Sequence, residues 1–267
     1  MTEQHEVFAL HYATRDDRTR ADSFIFDDDH ASVHRVDYFV WVLRNEHRTI
    51  VVDTGFDHAE AARRGRTLLR DPIDALAELD VDPERVTDVV ITHLHYDHAG
   101  SLDRFPVATF HLQVAEMAFA TGPCMCHATL RAPYTADHVC DMVRKVFSGR
   151  VRFHDGAEEI APGVEVHRIG GHSRGLQCVR VATRRGPLVL ASDASHYYEN
   201  FEQEKPFPIV DRVEEMLEGF RTIKRLAGHA SRVIPGHDPL VAERYPLLHE
   251  RGYSDRCAYV LHADPSA

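Results

Sequence analysis

Three histidines and an aspartate, His93, His95, Asp97 and His98, fall within six consecutive positions of the stretch Thr92-His93-Leu94-His95-Tyr96-Asp97-His98-Ala99-Gly100. Nitrogen and oxygen donors at this density suit a borderline divalent cation such as zinc, at bond lengths of about 2.0 to 2.2 Å. Along an extended loop, side chains repeat with period two, so His93 and His95 point to the same side. A helical start near Asp97 would turn the next pair toward a neighbouring point, so the spacing accommodates two adjacent metals. The chain has 20 histidines in 267 residues, and isolated ones such as His5, His30 and His127 read as surface or packing residues. The cluster differs because its donors alternate with spacers behind an apolar run.

That run, Thr87-Asp88-Val89-Val90-Ile91-Thr92, is β-branched and apolar and reads as a buried strand. The cluster then sits on a loop at a strand's end, where a rigid scaffold presents functional groups. The arrangement recurs. A strand over Val164 to Ile169 leads into Gly170-Gly171-His172-Ser173, whose glycines permit sharp turns close to a metal. Strands over Gln177 to Ala182 and Leu188 to Ala191 lead to Ser192-Asp193-Ala194, and Arg232-Val233-Ile234 runs into Pro235-Gly236-His237-Asp238-Pro239. Four strand ends thus offer metal-type donors, and their convergence at one edge of paired sheets is the economical explanation.

Upstream, Val33 to Val52 reads as a hairpin of two buried strands closed by Asp53-Thr54-Gly55. Asp53 is expected chiefly to cap local backbone donors, with support of nearby metal ligands as the alternative. Asp71-Pro72 opens an expected helix with Ile73, Leu76 and Leu79 as its apolar stripe. A short strand over Val107 to His111 and helices over Gln113 to Ala120, Thr135 to Phe147 and Asp211 to Ala227 are expected from the same patterns. Residues 113–149, which include the irregular Thr121 to Pro133, are expected to form an insertion that walls a pocket.

At 267 residues and 43% hydrophobic composition, the chain can bury a full core as one domain, 1–267. A net charge of -11 argues against a nucleic-acid partner, which needs a basic stripe. Five cysteines form no regular framework, and Met1-Thr2-Glu3-Gln4-His5-Glu6 lacks a secretory pattern, so a cytoplasmic location is expected. No apolar run approaches the roughly 20 residues of a membrane helix. Cys124-Met125-Cys126-His127 lacks a second matching pair and reads as packing thiols.

With Val52-Asp53-Thr54-Gly55 before it, and Gly171-His172, Ser192-Asp193 and Pro235-Gly236-His237-Asp238 after it, the histidine stretch resembles the metallo-β-lactamase superfamily from about Val33 to Tyr245. Its finer wording, His-Leu-His-Tyr-Asp-His-Ala-Gly, Ser-Asp-Ala-Ser and Pro-Gly-His-Asp-Pro, is most similar to the N-acyl homoserine lactone lactonases and relatives such as 4-pyridoxolactonase. The resemblance implies an α/β fold: an αββα sandwich of two mixed sheets flanked by helices, with two Zn2+ at one edge. His93, His95 and His172 would hold one metal, Asp97, His98 and His237 the other, and Asp193 would bridge them. The same donors accept cobalt, manganese or iron.

The implied enzyme is a hydrolase of a carboxylic ester bond, in which a metal-bridging hydroxide opens the ring of a small lactone, N-acyl homoserine lactone foremost. Asp97 would also carry the proton to the leaving oxygen. A small lactone is then the partner, nucleic acid and membrane are excluded, and a homodimer is allowed. The chain departs from the lactonases where they place a tyrosine three positions after the bridging aspartate. Here His196 and then Tyr197-Tyr198 follow Asp193-Ala194-Ser195, so His196 or a shifted Tyr197 is expected to donate to the substrate carbonyl. An aromatic or pyridine-fused lactone is the nearest alternative, suggested by Tyr134, Tyr197 and Tyr198. A glyoxalase-II-like thioesterase would need a basic carboxy-terminal cluster that is missing, and a β-lactamase would not retain Asp193. An iron oxidoreductase of the flavodiiron kind would carry a glutamate at His95 and a flavin domain.

Overall fold

The nine residues Val36–Arg44 are apolar almost without alternation, a pattern that requires a strand covered on both faces. In the computed structural model, which describes residues 2–248 and 257–265, alternate side chains of this strand serve two cores. Tyr38, Val40 and Val42 enter one, and Phe39, Trp41 and Leu43 enter the other.

In chain order the strands are β1 (Glu6–Arg15), β2 (Val36–Arg44), β3 (Thr49–Val52), β4 (Thr67–Leu68), β5 (Asp88–Val90), β6 (Thr109–Gln113), β7 (Val151–His154), β8 (Ala157–Ala161), β9 (Val164–Arg168), β10 (Gln177–Thr183), β11 (Gly186–Ser192), β12 (Val233–Pro235) and β13 (Ala258–Val260). The α-helices are α1 (His58–Arg64), α2 (Val114–Ala120), α3 (Ala128–Arg131), α4 (Ala136–Phe147), α5 (Tyr198–Glu202), α6 (Val213–Ala227) and α7 (Leu240–Arg244). One sheet runs β13-β1-β2-β3-β5-β6-β7 with β4 paired to β1, and the other runs β12-β11-β10-β9-β8. Both are mixed: β3, β5, β6 and β7 are parallel neighbours, as are β11 and β12, while the remaining pairs are antiparallel.

The second core gathers Trp41, Val52 and Val90 from the first sheet with Val166, Val179 and Leu190 from the second. It continues under α6 through Met216, Phe220 and Ile223. The first core lies on the other face of the first sheet, beneath Phe119 of α2 and Met142 of α4. The layers are therefore helix, sheet, sheet, helix, as the family resemblance implies.

Several local outcomes differ from expectation. No strand is expected before Val33, yet β1 lies inside the first sheet, buried on both faces through Val7 and Ala9 on one side and Phe8, Leu10 and Tyr12 on the other. A short apolar run of this kind does not distinguish strand from buried helix by period. Asp71 does cap, its Oδ1 accepting from the backbone N–H groups of Ile73 and Asp74, but the element it opens is a 3₁₀ turn over Asp74–Leu79 rather than an α-helix. Asp80 in a left-handed conformation closes it after six residues. Cys124 packs against the first core, whereas Cys126 is exposed, so packing does not describe that thiol. Among the described residues no helix is long and apolar enough to cross a membrane.

Candidate metal centre

The carboxyl ends of β3, β5, β9, β11 and β12 converge on one edge of the two sheets, and backbone hydrogen bonds lock the loops that leave them. The N–H of Thr54 donates to the His98 carbonyl at 2.8 Å, that of Gln177 to Thr92 at 3.0 Å, and that of His237 to His196 at 3.0 Å. Two glycines are required by close approach. A Cβ on Gly171, whose φ is +81°, would lie 2.5 Å from the Met216 nitrogen, and one on Gly236 would lie 2.8 Å from the backbone of Ser192. Asp53 and Ser192, at φ +62° and +47°, hold left-handed backbones without being glycine, and both sit where a strand ends in the site. Such strain persists only where surrounding contacts over-determine it. Here Thr92 Oγ1 ties the two together, 2.8 Å from Asp53 Oδ2 and 2.8 Å from Ser192 Oγ.

Two buried donor groups result. In the first, His172 Nε2 lies 3.2 Å from His93 Nε2, 2.9 Å from His95 Nδ1 and 3.1 Å from Asp193 Oδ2. In the second, Asp193 Oδ1 lies 3.2 Å from His98 Nε2 and 3.0 Å from His237 Nε2, and Asp97 Oδ2 is 3.6 Å from both of those nitrogens. Asp193 thus turns one carboxylate oxygen to each group.

The other ring nitrogens determine what these atoms can be. His172 Nδ1 donates to the Ile209 carbonyl, His237 Nδ1 to the Asp37 carbonyl, and His98 Nδ1 to Asp53 Oδ2 at 2.7 Å. In the neutral rings the three Nε2 atoms therefore carry lone pairs, and these face carboxylate oxygens that are also acceptors. His98 Nε2 and Asp193 Oδ1 are both buried without a hydrogen-bond partner. Lone pairs crowded together out of water repel unless a cation lies among them, so the donor set fits a divalent metal in each group.

Electrostatics agree. Burial and then the neighbouring imidazoles hold His93 and His95 well below the usual histidine range, neutral and able to ligate. Burial alone would lower His98 as well, but the carboxylates of Asp97 and Asp193 overcome it and raise His98, so this point draws positive charge.

Asp53 does both things proposed for it: Oδ1 accepts from the Thr92 backbone at 2.7 Å, and Oδ2 orients His98. The structural role was expected to dominate; burial beside His98 makes the orienting role equally direct. The expected carbonyl donors are placed differently. Tyr197 is turned away, its hydroxyl donating to the Arg35 carbonyl at 3.1 Å, and it does not line the cavity over the cluster. His196 does line that cavity, stacked on Phe207 at 3.7 Å between ring centroids. Burial pushes its imidazole down to about 3, so it has one N–H, and Nε2 spends that on Asp193 Oδ2 at 2.9 Å. No donor remains on His196 for a carbonyl.

Glu116 has no sequence signal of function, sitting in an otherwise ordinary helix. Fully buried, it accepts four hydrogen bonds: Oε1 from Leu94 N at 3.0 Å and Tyr134 Oη at 3.0 Å, Oε2 from Ser173 Oγ at 2.6 Å and Gly175 N at 3.1 Å. It joins the loop of His93 and His95 to the loop of His172. Its sequence position between two ligand loops says nothing of burial or of partners.

A cavity of about 330 Å³ opens on the cluster, bounded there by His95, Asp97, His172, Asp193, His196 and His237. From the expected pocket-wall segment, Ala132 and Pro133 reach it.

A layered sandwich with a two-part histidine and aspartate centre at its sheet edge defines a class of metal-dependent hydrolase folds. The chain belongs to the metallo-β-lactamase superfamily, whose family model matches residues 35–237. It is 27% identical over 250 residues to an N-acyl homoserine lactonase of Bacillus sp, covering 84% of this chain and 90% of that protein. A solved quorum-quenching N-acyl homoserine lactone lactonase superposes with a TM-score of 0.74 at 21% identity, over 96% of this chain and all (100%) of that one. An N-acyl homoserine lactone hydrolase with the product N-hexanoyl-L-homoserine at its catalytic metal center superposes at 0.72 with 21% identity, over 91% and 96% of the two chains.

Proposed function

We propose that this protein is a dinuclear metal-dependent lactonase that opens the ring of a small lactone, of the kind carried by N-acyl homoserine lactones. The observation that carries the reading is Asp193, whose two carboxylate oxygens face two separate groups of buried imidazoles. His93, His95 and His172 with Asp193 Oδ2 would hold one cation, and Asp97, His98 and His237 with Asp193 Oδ1 the other. Zinc suits these donors best, and cobalt, manganese and iron are compatible. Two bound divalent cations supply a water acidic enough to attack near neutral pH and polarise an ester carbonyl.

The chain's own residues do the rest. His196 donates to Asp193 and fixes the rotation of that carboxylate, so it positions rather than reacts. Asp97 reaches the cavity with a carboxylate free of hydrogen-bonded cations among the described residues, suited to taking a proton from the attacking water and passing it to the departing ring oxygen. The backbone carbonyls of Ile209 and Asp37 keep His172 and His237 in the ligating tautomer. Location in the cytoplasm and organisation as one domain are consistent with this reading, and a homodimer is compatible with it.

The test is the Asp193→Ala variant, assayed on N-acyl homoserine lactones, an aromatic lactone and a glutathione thioester with metal content measured in parallel. Loss of lactone opening together with bound metal is expected. Turnover retained in the metal-poor variant, or a thioester hydrolysed faster than every lactone by the parent, would overturn the assignment.

A further inference from the structure

Four guanidinium groups, those of Arg15, Arg18, Arg64 and Arg66, line the cavity over the metal centre of a chain whose net charge is -11. Two of them have structural employment. Arg64 lies over the Tyr96 ring, pairs with Glu60 and donates to the Ala132 and Tyr134 carbonyls. Arg15 pairs with Asp17 at 2.5 Å. Arg18 and Arg66 do not have such partners: among the described residues neither forms an ion pair with a carboxylate.

Arg18 is only 7% exposed, donates through one terminal nitrogen to the Asp22 carbonyl, and keeps its Nε buried without a partner. Arg66 donates Nε to the Tyr96 hydroxyl at 3.0 Å and one terminal nitrogen to the Arg64 carbonyl at 2.6 Å, both neutral acceptors. The carboxylates on the same wall are engaged elsewhere. Asp22 accepts from the N–H and hydroxyl of Thr19, and Asp97 and Asp193 face the imidazoles of the proposed metal centre. A guanidinium cannot shed its proton to escape burial, so two such groups beside a ligand cavity with no carboxylate in ion-pair contact offer a place for an anion from outside.

We propose, on the lactonase reading above, that Arg18 and Arg66 form an anion subsite and that the preferred substrate is a small lactone bearing a carboxylate or comparable anionic substituent, rather than a long neutral acyl chain. The cavity of about 330 Å³ is at the lower end of the usual range for ligand sites, roughly 300 to 1,000 Å³, and so suits a compact molecule. The planar fork of a guanidinium binds a carboxylate through paired, charge-assisted hydrogen bonds. Arg18 and Arg66 are thus specificity-determining residues that hold the substituent while the ring lies against the metal centre.

The experiment compares kcat/KM of the metal-loaded protein for γ-butyrolactone carrying a ring carboxylate, the same ring with that group capped as a methyl amide, and N-hexanoyl homoserine lactone. The series is repeated with Arg18→Met and Arg66→Met, two variants because either one alone could impair folding. A second readout, independent of turnover, is calorimetric binding of glutarate against neutral glutaramide. The parent is expected to favour the carboxylate over its amide about 10- to 100-fold, the equivalent of one charge-assisted contact. Each substitution should collapse that ratio toward one and weaken glutarate binding. Equal or better turnover of the neutral lactones, with a ratio that neither variant changes, overturns the subsite while leaving lactonase activity intact. If no lactone is opened yet glutarate binds through the two arginines, the lactonase reading fails and the anion site stands.

Discussion

Replacing Glu116 with Gln tests whether a carboxylate outside the donor cluster positions both ligand loops. The substitution keeps shape and removes one acceptor. Whichever way the amide is turned, its oxygen can serve one pair of donors, and its NH₂ faces the other. The hydroxyls of Tyr134 and Ser173 can rotate to accept, but the peptide N–H of Leu94 or of Gly175 cannot. One buried N–H is therefore left without an acceptor, at about 1 to 3 kcal/mol, and the surviving bonds lose their charge assistance. Relief from burying a charge offsets part of this, so a net loss of roughly 2 to 4 kcal/mol is expected. For a chain of this size that lowers Tm on the order of 4 to 7 °C. Because Leu94 lies between His93 and His95, and Ser173 follows His172, metal affinity should fall as well. Urea unfolding of metal-free protein measures the first effect, and competition with a chelating dye measures the second. Tyr134→Phe, which removes one donor and leaves the carboxylate three, should cost less than about 1.5 kcal/mol. An E116Q protein within about 0.5 kcal/mol of the parent and equal to it in metal affinity would refute the positioning role, since only neutral substitutions on free surfaces are that mild.

Asp53→Ala removes the acceptor that orients His98, and partners of this kind typically contribute 10- to 100-fold to metal affinity; unchanged affinity by dye competition would show that the ring is held by its neighbours alone. Glu60 predicts a pH dependence. Burial would raise its carboxyl, but hydrogen bonds from Arg63, Arg64 and Thr135 overcome this and hold it at about 2, against an ordinary value of 4.5. Since the folded value is the lower one, the stability it contributes is complete above pH 4.5 and is lost as pH falls toward 2. Glu60→Gln should then lower unfolding free energy by about 1 to 2 kcal/mol at pH 7, after allowance for solvent at Arg63, and the gap to the parent should narrow below pH 4.5. A gap that stays constant or widens on acidification would contradict the assignment.

What the sequence determined by itself is the chemistry and its address. The histidine stretch, the glycines before His172 and His237, and the apolar runs before each were readable because ligand spacing and strand burial are both local patterns. The layered fold followed from the family resemblance of those same motifs, while the nearly continuous apolar run Val36–Arg44 marked one strand as buried. Tertiary structure decided the rest. The pairing of Asp193 with two imidazole groups needs strand ends that lie far apart in sequence to meet, and the hydrogen bond from His196 that removes its donor depends on which rotamer packs on Phe207. Glu116 and the unpaired charges of Arg18 and Arg66 were invisible for the same reason. A buried carboxylate and a solvated one have the same letter, and whether an arginine has a partner depends on side chains that only the folded chain brings beside it.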